Sequence, residues 1–174
     1  MALASQAVLA DPQDAPRVEV TEAAGVFTVS ATFAVTATAG TVMAVLSDYD
    51  RIPKFMPDVQ VSRVLERTAS GAVVEQEAVS RFMLFSKRIY LLLEVVEETS
   101  ALRFIDRGAK SFAAYHGAWV LTESDNLTVI DYRLSAKPSF DVPGFVLKRL
   151  LKRDAAQLID RMKVEIAAHG NRAQ

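Results

Sequence analysis

The chain has 174 residues, and 51% of them are hydrophobic, enough for one domain with a sizeable core. A charged fraction of 24% and a net charge of −1 argue against disorder and against nucleic-acid binding through overall basicity. The lack of cysteine excludes disulfides, thiol nucleophiles and Cys-ligated zinc, and no apolar run approaches the roughly 20 residues that span a bilayer.

Residues 1–24 read as a disordered leader. Their Ala-rich start, with Ala2-Leu3-Ala4, also fits the remnant of an export signal, although the basic start and full apolar stretch of such a signal are lacking. The expected compartment is therefore the cytoplasm, or the periplasm if the start is such a remnant. Folded structure is expected from Gly25, as one domain over residues 25–169. Residues 26–37 alternate: Phe27, Val29, Ala31, Phe33 and Val35 share one face and Thr28, Ser30, Thr32 and Thr36 the other, which predicts a half-buried strand. Thr41 suits the N-cap of a short helix carrying Val42, Val45 and Leu46, and a second helical turn is expected before Pro57.

From Asp58 onward, six strand-like runs cover 58–67, 71–85, 87–98, 101–108, 111–123 and 126–138. Turn signals at Ser70-Gly71, Thr99-Ser100, Gly108 with Lys110 and Asp125-Asn126 predict an antiparallel meander. In the second run Glu75, Glu77 and Arg81 should meet water, which turns Val74, Gln76, Ala78, Ser80 and Phe82 inward. Pro143 and Gly144 open a long helix whose stripe is Leu147, Leu151, Ala155, Leu158, Met162 and Ile166, and residues 170–174 read as a tail. The predicted fold is α+β. A curved antiparallel sheet of seven strands, with two short helices after the first, grips one long C-terminal helix. One helix does not fill such a sheet, so a cavity is expected.

Four stretches carry a family likeness. They are Val45-Leu46-Ser47-Asp48-Tyr49-Asp50 with Ile52-Pro53 and Phe55, the run Tyr115-His116-Gly117-Ala118-Trp119, the strand from Tyr132 to Pro138, and the helix from Pro143 to Ile166. On these the chain resembles the START-like, or helix-grip (SRPBCC), superfamily over about residues 26–167. Within it, the chain is similar to the polyketide cyclase/dehydrase and coenzyme Q-binding group. The resemblance implies a cavity for a lipid, a quinone or a polyketide, bordered by the helical segment after the first strand. It leaves activity open, since only some members are enzymes.

The acidic segment around Asp48 and Asp50 begins like a calcium loop, but Ile52, Pro53 and Val59 stand where an oxygen ligand, glycine and glutamate are required. Both aspartates are instead expected to cap the second short helix. His169 should be solvated, and His116 should point away from Tyr115 and Trp119. No second histidine supports a metal centre, and no G-x-S-x-G or phosphate-binding loop is present. No metal, cofactor or catalytic residue is assigned.

The candidate cavity residues are Phe33, Phe55, Gln76, Ser80, Phe82, Phe104, Tyr115, Trp119, Tyr132 and Met162. Met56, Met83 and Met162 offer adaptable walls. A rim is expected at Tyr49, Ile52 and Met56, with Phe140 and Phe145 opposite. Gln76, Ser80, Tyr115 and Tyr132 are costly to bury alone, so they either bond within the protein or orient the polar part of a ligand. Lys148, Arg149, Lys152 and Arg153 cluster within two helical turns. They form either a solvated face or a contact for an anionic membrane or acidic partner, and nucleic acid is disfavoured by the compensating acidic residues. Three functions follow. The first is binding, transport or sequestration of a hydrophobic small molecule. The second is a polyketide cyclase or aromatase, for which Tyr115, Tyr132, His116 and Asp106 are the available proton donors and acceptors. The third is a ribosome- or protein-associated interaction module.

Overall fold

Alternation of apolar and polar residues dictates one large sheet here, and the computed structural model shows how far it extends. Residue 12 and residues 15–82 and 84–172 are described, the side chains of Phe82, Phe85 and Arg172 excepted. The elements are β1 (Arg17–Ala23), β2 (Val26–Thr36), α1 (Ala39–Leu46), a 3-10 turn (Tyr49–Arg51) and α2 (Ile52–Phe55). They continue with β3 (Val59–Thr68), β4 (Gly71–Phe82), β5 (Phe85–Glu97), β6 (Ala101–Asp106), β7 (Phe112–Ser124), β8 (Leu127–Pro138) and α3 (Gly144–Arg172). The strands form one antiparallel sheet in the order β1-β2-β8-β7-β6-β5-β4-β3, and α3 packs against it.

The expected architecture holds, with eight strands instead of seven. The extra strand, β1, lies in the segment read as a leader. Val18 and Val20 are buried while Arg17, Glu19 and Thr21 are exposed, so the alternation is there, but with only two apolar residues. Ala24 and Gly25 both have positive φ, the geometry a two-residue hairpin needs to follow strand twist, and β1 pairs with β2 from Arg17↔Thr32 to Ala23↔Val26. Residues 1–11 of the expected leader lie outside the described residues. At the other end α3 runs to Arg172, so Gly170 and its neighbours continue the helix and are no separate tail.

Local expectations are corrected in three places. Thr38, not Thr41, caps α1: its Oγ1 accepts from the Thr41 N–H at 3.2 Å. Asp48 sits at the start of the 3-10 turn without a side-chain capping bond, and Asp50 Oδ1 accepts from the Val64 N–H at 3.0 Å, so it ties the turn to β3. The β4–β5 turn falls between Phe82 and Phe85, which are register partners, not after residue 85.

Two features shape the concave face. A bulge between Phe112 and Ala114 shifts the β7 register. Phe112 and Tyr115 would otherwise point to opposite faces, yet their rings meet at 4.9 Å. Gly117 makes room for its neighbours: a Cβ there would strike the Arg133 carbonyl oxygen and come within 2.5 Å of the Phe104 ring. Gly117→Ala should therefore destabilise the protein by about 1–3 kcal/mol through overpacking. A urea midpoint unchanged from the wild type would show that the sheet yields there at no cost.

Candidate ligand cavity

The concave face of the sheet and the N-terminal half of α3 enclose a cavity of about 310 Å3, within the usual range for small-molecule sites. Tyr49, Ile52, Phe55 and Met56 close one side. That segment is anchored to α3 by the Arg51–Glu165 ion pair at 2.9 Å and by Arg161, which donates to the Phe55 carbonyl at 3.2 Å. The sheet contributes Gln76, Ser80 and Leu91 from β4 and β5, Phe104, Phe112, Tyr115 and Trp119 from β6 and β7, and Tyr132 and Leu134 from β8. From α3 come Leu147, Leu150, Leu151, Asp154, Leu158 and Met162. Leu151 and Leu158 belong to the predicted apolar stripe but are only half-buried, because they face the cavity.

The back wall is aromatic. Trp119 and Tyr132 are cross-strand partners with ring centroids 4.2 Å apart, and the Tyr115 ring lies 5.9 Å from Phe104. Polar groups on this wall are mostly paired. Gln76 donates to Ser62 Oγ at 3.2 Å, Ser80 donates to Asp154 Oδ2 at 2.9 Å, and Tyr49 donates to Glu97 Oε1 at 2.7 Å. The hydroxyls of Tyr115 and Tyr132 have no hydrogen-bond partner among the described residues, and neither is sealed away from open space. Burial pushes the Tyr115 phenol up to about 12, with the Asp106 carboxylate adding to the effect. Tyr132 is pushed well above its ordinary value by burial first and by Tyr115 second. Tyr49 is raised by burial and by its bond to Glu97.

Of the residues singled out in the sequence, Phe55, Gln76, Ser80, Phe104, Tyr115, Trp119, Tyr132 and Met162 line the cavity, as do Ile52, Met56 and Phe140. Phe33 does not: it is buried behind the wall, edge-on to Trp119 at 6.5 Å. Phe145, expected at the rim, is 68% exposed on the outer side of α3. Tyr49, also expected at the rim, is buried and bonded, so it is part of the fixed wall. The Phe82 side chain and Met83 lie outside the described residues. His116 is exposed and does not line the cavity. Asp106 accepts from the N–H groups of Leu92, Gly108 and Ala109, so it holds a turn. Arg153 pairs with Asp154 at 2.7 Å, which leaves Lys148, Arg149 and Lys152 as the exposed cations of the basic cluster.

The sequence reading missed Asp154, Lys87 and Phe112. Asp154 interrupts the apolar side of α3 just before Ala155, a signal that was available. Lys87 lies over the Phe140 ring at 4.7 Å, and nothing local announces that contact. Among the described residues no group of three or more His, Cys, Asp and Glu side chains could hold a metal ion, and no helix is long and apolar enough to cross a membrane.

The family model described as polyketide cyclase / dehydrase and lipid transport matches residues 35–163. No curated protein sequence matches the chain. Several solved structures share the fold. A START superfamily protein from Mycobacterium smegmatis has a TM-score of 0.67 at 17% identity, over 81% of this chain and 97% of its own. A STAR-related lipid transfer protein from Xanthomonas axonopodis gives 0.66 at 15% identity, over 88% and 99%. The Zhui aromatase/cyclase from Streptomyces sp. R1128 gives 0.60 at 15% identity, over 86% and 96%.

The raised phenols make stability depend on pH at the alkaline end. Their protonated form is favoured by folding, so the contribution is fully present below the ordinary tyrosine value of 10 and is lost as pH rises through the folded value of about 12 for Tyr115. Between pH 10 and 12 the wild type should lose stability more steeply than Tyr115→Phe or Tyr132→Phe. Urea midpoints across that range test this, and parallel slopes would refute it.

Proposed function

We propose that this chain, which belongs to the polyketide cyclase / dehydrase and lipid transport family, holds an apolar small molecule between its sheet and its long helix. The observation that carries this reading is the cavity of about 310 Å3, walled by leucines and aromatic rings. Removing a ligand's apolar surface from water contributes about 25 cal/mol per Å2 before the costs of binding. A lipid, an isoprenoid quinone or a polyketide-like chain suits such a wall. A filled core would have favoured the interaction-module reading. One observation favours a cyclase as the second reading: Asp154, held by Ser80 and Arg153, brings a carboxylate to the cavity lining, a group that can accept a proton.

Loading and unloading such a ligand calls for contact with the phase that contains it. Phe145, Lys148, Arg149 and Lys152 stand at i, i+3, i+4 and i+7 on α3, all four exposed. An apolar residue followed by three cations on one stripe suits an anionic lipid surface. Leu84, at the tip of the β4–β5 hairpin whose strands bring Ser80 and Lys87 to the cavity, is a further exposed apolar residue.

Native mass spectrometry of the purified protein, followed by organic extraction, should recover an apolar molecule at one per chain. Ala78→Phe, which fills the cavity without changing its polarity, should lower that occupancy while leaving the circular dichroism spectrum intact. A carrier returns its ligand unchanged on incubation, whereas a cyclase that dehydrates its product returns it lighter by water. A protein that purifies empty and takes up no N-phenylnaphthylamine would end the carrier reading. Separately, changing Lys148, Arg149 and Lys152 together to Glu should weaken binding to phosphatidylglycerol vesicles by a hundredfold or more, since each cation contributes about 1 kcal/mol near such a surface. Vesicle binding that survives the triple change would place the lipid contact elsewhere.

A further inference from the structure

The two phenols on the back wall have a consequence for what the cavity accepts. Other polar side chains that the described strands bring to the cavity have partners: Gln76 has Ser62, Ser80 has Asp154, and Lys87 lies over the Phe140 ring. The hydroxyls of Tyr115 and Tyr132 and the Trp119 indole N–H have no hydrogen-bond partner among the described residues, although Tyr132 is only 4% exposed. Neither hydroxyl is sealed from open space, so each is a donor that the contents of the cavity can meet.

Both rings are fixed. Tyr132 lies along Trp119 with 30° between the ring planes, and Tyr115 lies between Phe104 and Phe112. Their positions are therefore set before any ligand arrives, so ordering them adds little to the cost of binding. The two tyrosines line the same cavity from neighbouring strands, β7 and β8, with Tyr132 paired to Trp119 and Tyr115 to Ala136. Both stay protonated through the physiological range, hence available as donors.

We propose that the unpartnered hydroxyls of Tyr115 and Tyr132 form a subsite for the carbonyl oxygen of the carried molecule, be it a ketone, quinone or ester. The inference rests on the carrier reading above. A carbonyl oxygen accepts hydrogen bonds and carries no charge, so it can accept from a phenol and still enter an apolar cavity. A carboxylate would bury a charge beside two neutral phenols, which is costly without a cation there to offset it.

The test uses two molecules of nearly equal shape, methyl naphthyl ketone and isopropylnaphthalene, titrated into the whole protein by calorimetry. Tyr132→Phe and Tyr115→Phe should each weaken the ketone by up to about tenfold, the usual scale of one lost hydrogen bond, and leave the hydrocarbon unchanged. With a carbon-13-labelled ketone, the carbonyl stretch should sit lower in the wild type than in an apolar solvent and rise in either variant. Ketone binding that ignores both substitutions, with the stretch unmoved, overturns the subsite while hydrocarbon binding keeps the carrier reading intact. Equal losses for ketone and hydrocarbon would reduce the phenols to packing and overturn it as well. Failure of both molecules to bind the wild type would overturn the subsite together with the carrier reading.

Discussion

A mismatch of areas governs this molecule. Eight strands curve into a concave face that one helical stripe is too narrow to cover. α3 resolves the mismatch by dividing its length. Its C-terminal half packs closely, with Ile159 and Ile166 essentially fully buried. Along its N-terminal half Leu147 and Leu150 stay buried, while Leu151 and Leu158 look into the cavity. Close packing all along would require larger side chains on the sheet or a flatter sheet. The bulge at Phe112 and the missing side chain at Gly117 act the other way, since they seat aromatic rings on a curved wall. An apolar void of this size is stable only because the surrounding strands are fully paired and the far half of the helix is tightly held.

Polar groups near the void divide by task. Asp50 and Asp106 hold backbone N–H groups of turns and strands, so their carboxylates belong to the frame. Tyr49 closes on Glu97 and stiffens the wall near α1. Ser80 and Asp154 join β4 to α3 across the cavity. Among the described residues of the back wall, the hydroxyls of Tyr115 and Tyr132 have no hydrogen-bond partner. Such a distribution lets a mostly apolar pocket favour one polar feature of a ligand, since desolvated donors discriminate strongly when few others compete.

Much of this was legible in the residues. Period-two runs marked β2, β4, β7 and β8, and the three-to-four spacing after Pro143 marked α3. The facing of Gln76, Ser80, Tyr115 and Trp119 followed from charge placement and alternation. The misses share a cause: alternation reports which face a residue is on, not where along that face it lies. Phe33 is on the concave side, yet under the closely packed region, so it supports Trp119 from behind. Phe145 is next to the cavity in sequence, but the helical angle turns it outward. Phe112 was hidden by a bulge, which breaks the period without a local signal. β1 was too short in apolar residues to be told from a leader, and its burial comes from β2 and α3. Asp154 and Arg153 are sequence neighbours whose pairing and contact with Ser80 only the tertiary fold brings about.

The N-terminal turns of α3 join two surfaces in one rigid rod. Leu147, Leu150, Leu151 and Asp154 line the cavity, and Phe145, Lys148, Arg149 and Lys152 face out from the same turns. The Ser80–Asp154 hydrogen bond and Lys87 over Phe140 tie this half of the helix and the preceding loop to the β4–β5 hairpin. Partly exposed contacts of this kind contribute of the order of 1 kcal/mol each, far less than the packed C-terminal half. A surface that engages the outer stripe therefore touches the same helical turns that wall the cavity. The stripe that faces outward and the wall that carries the two phenols thus belong to different elements, α3 and the sheet.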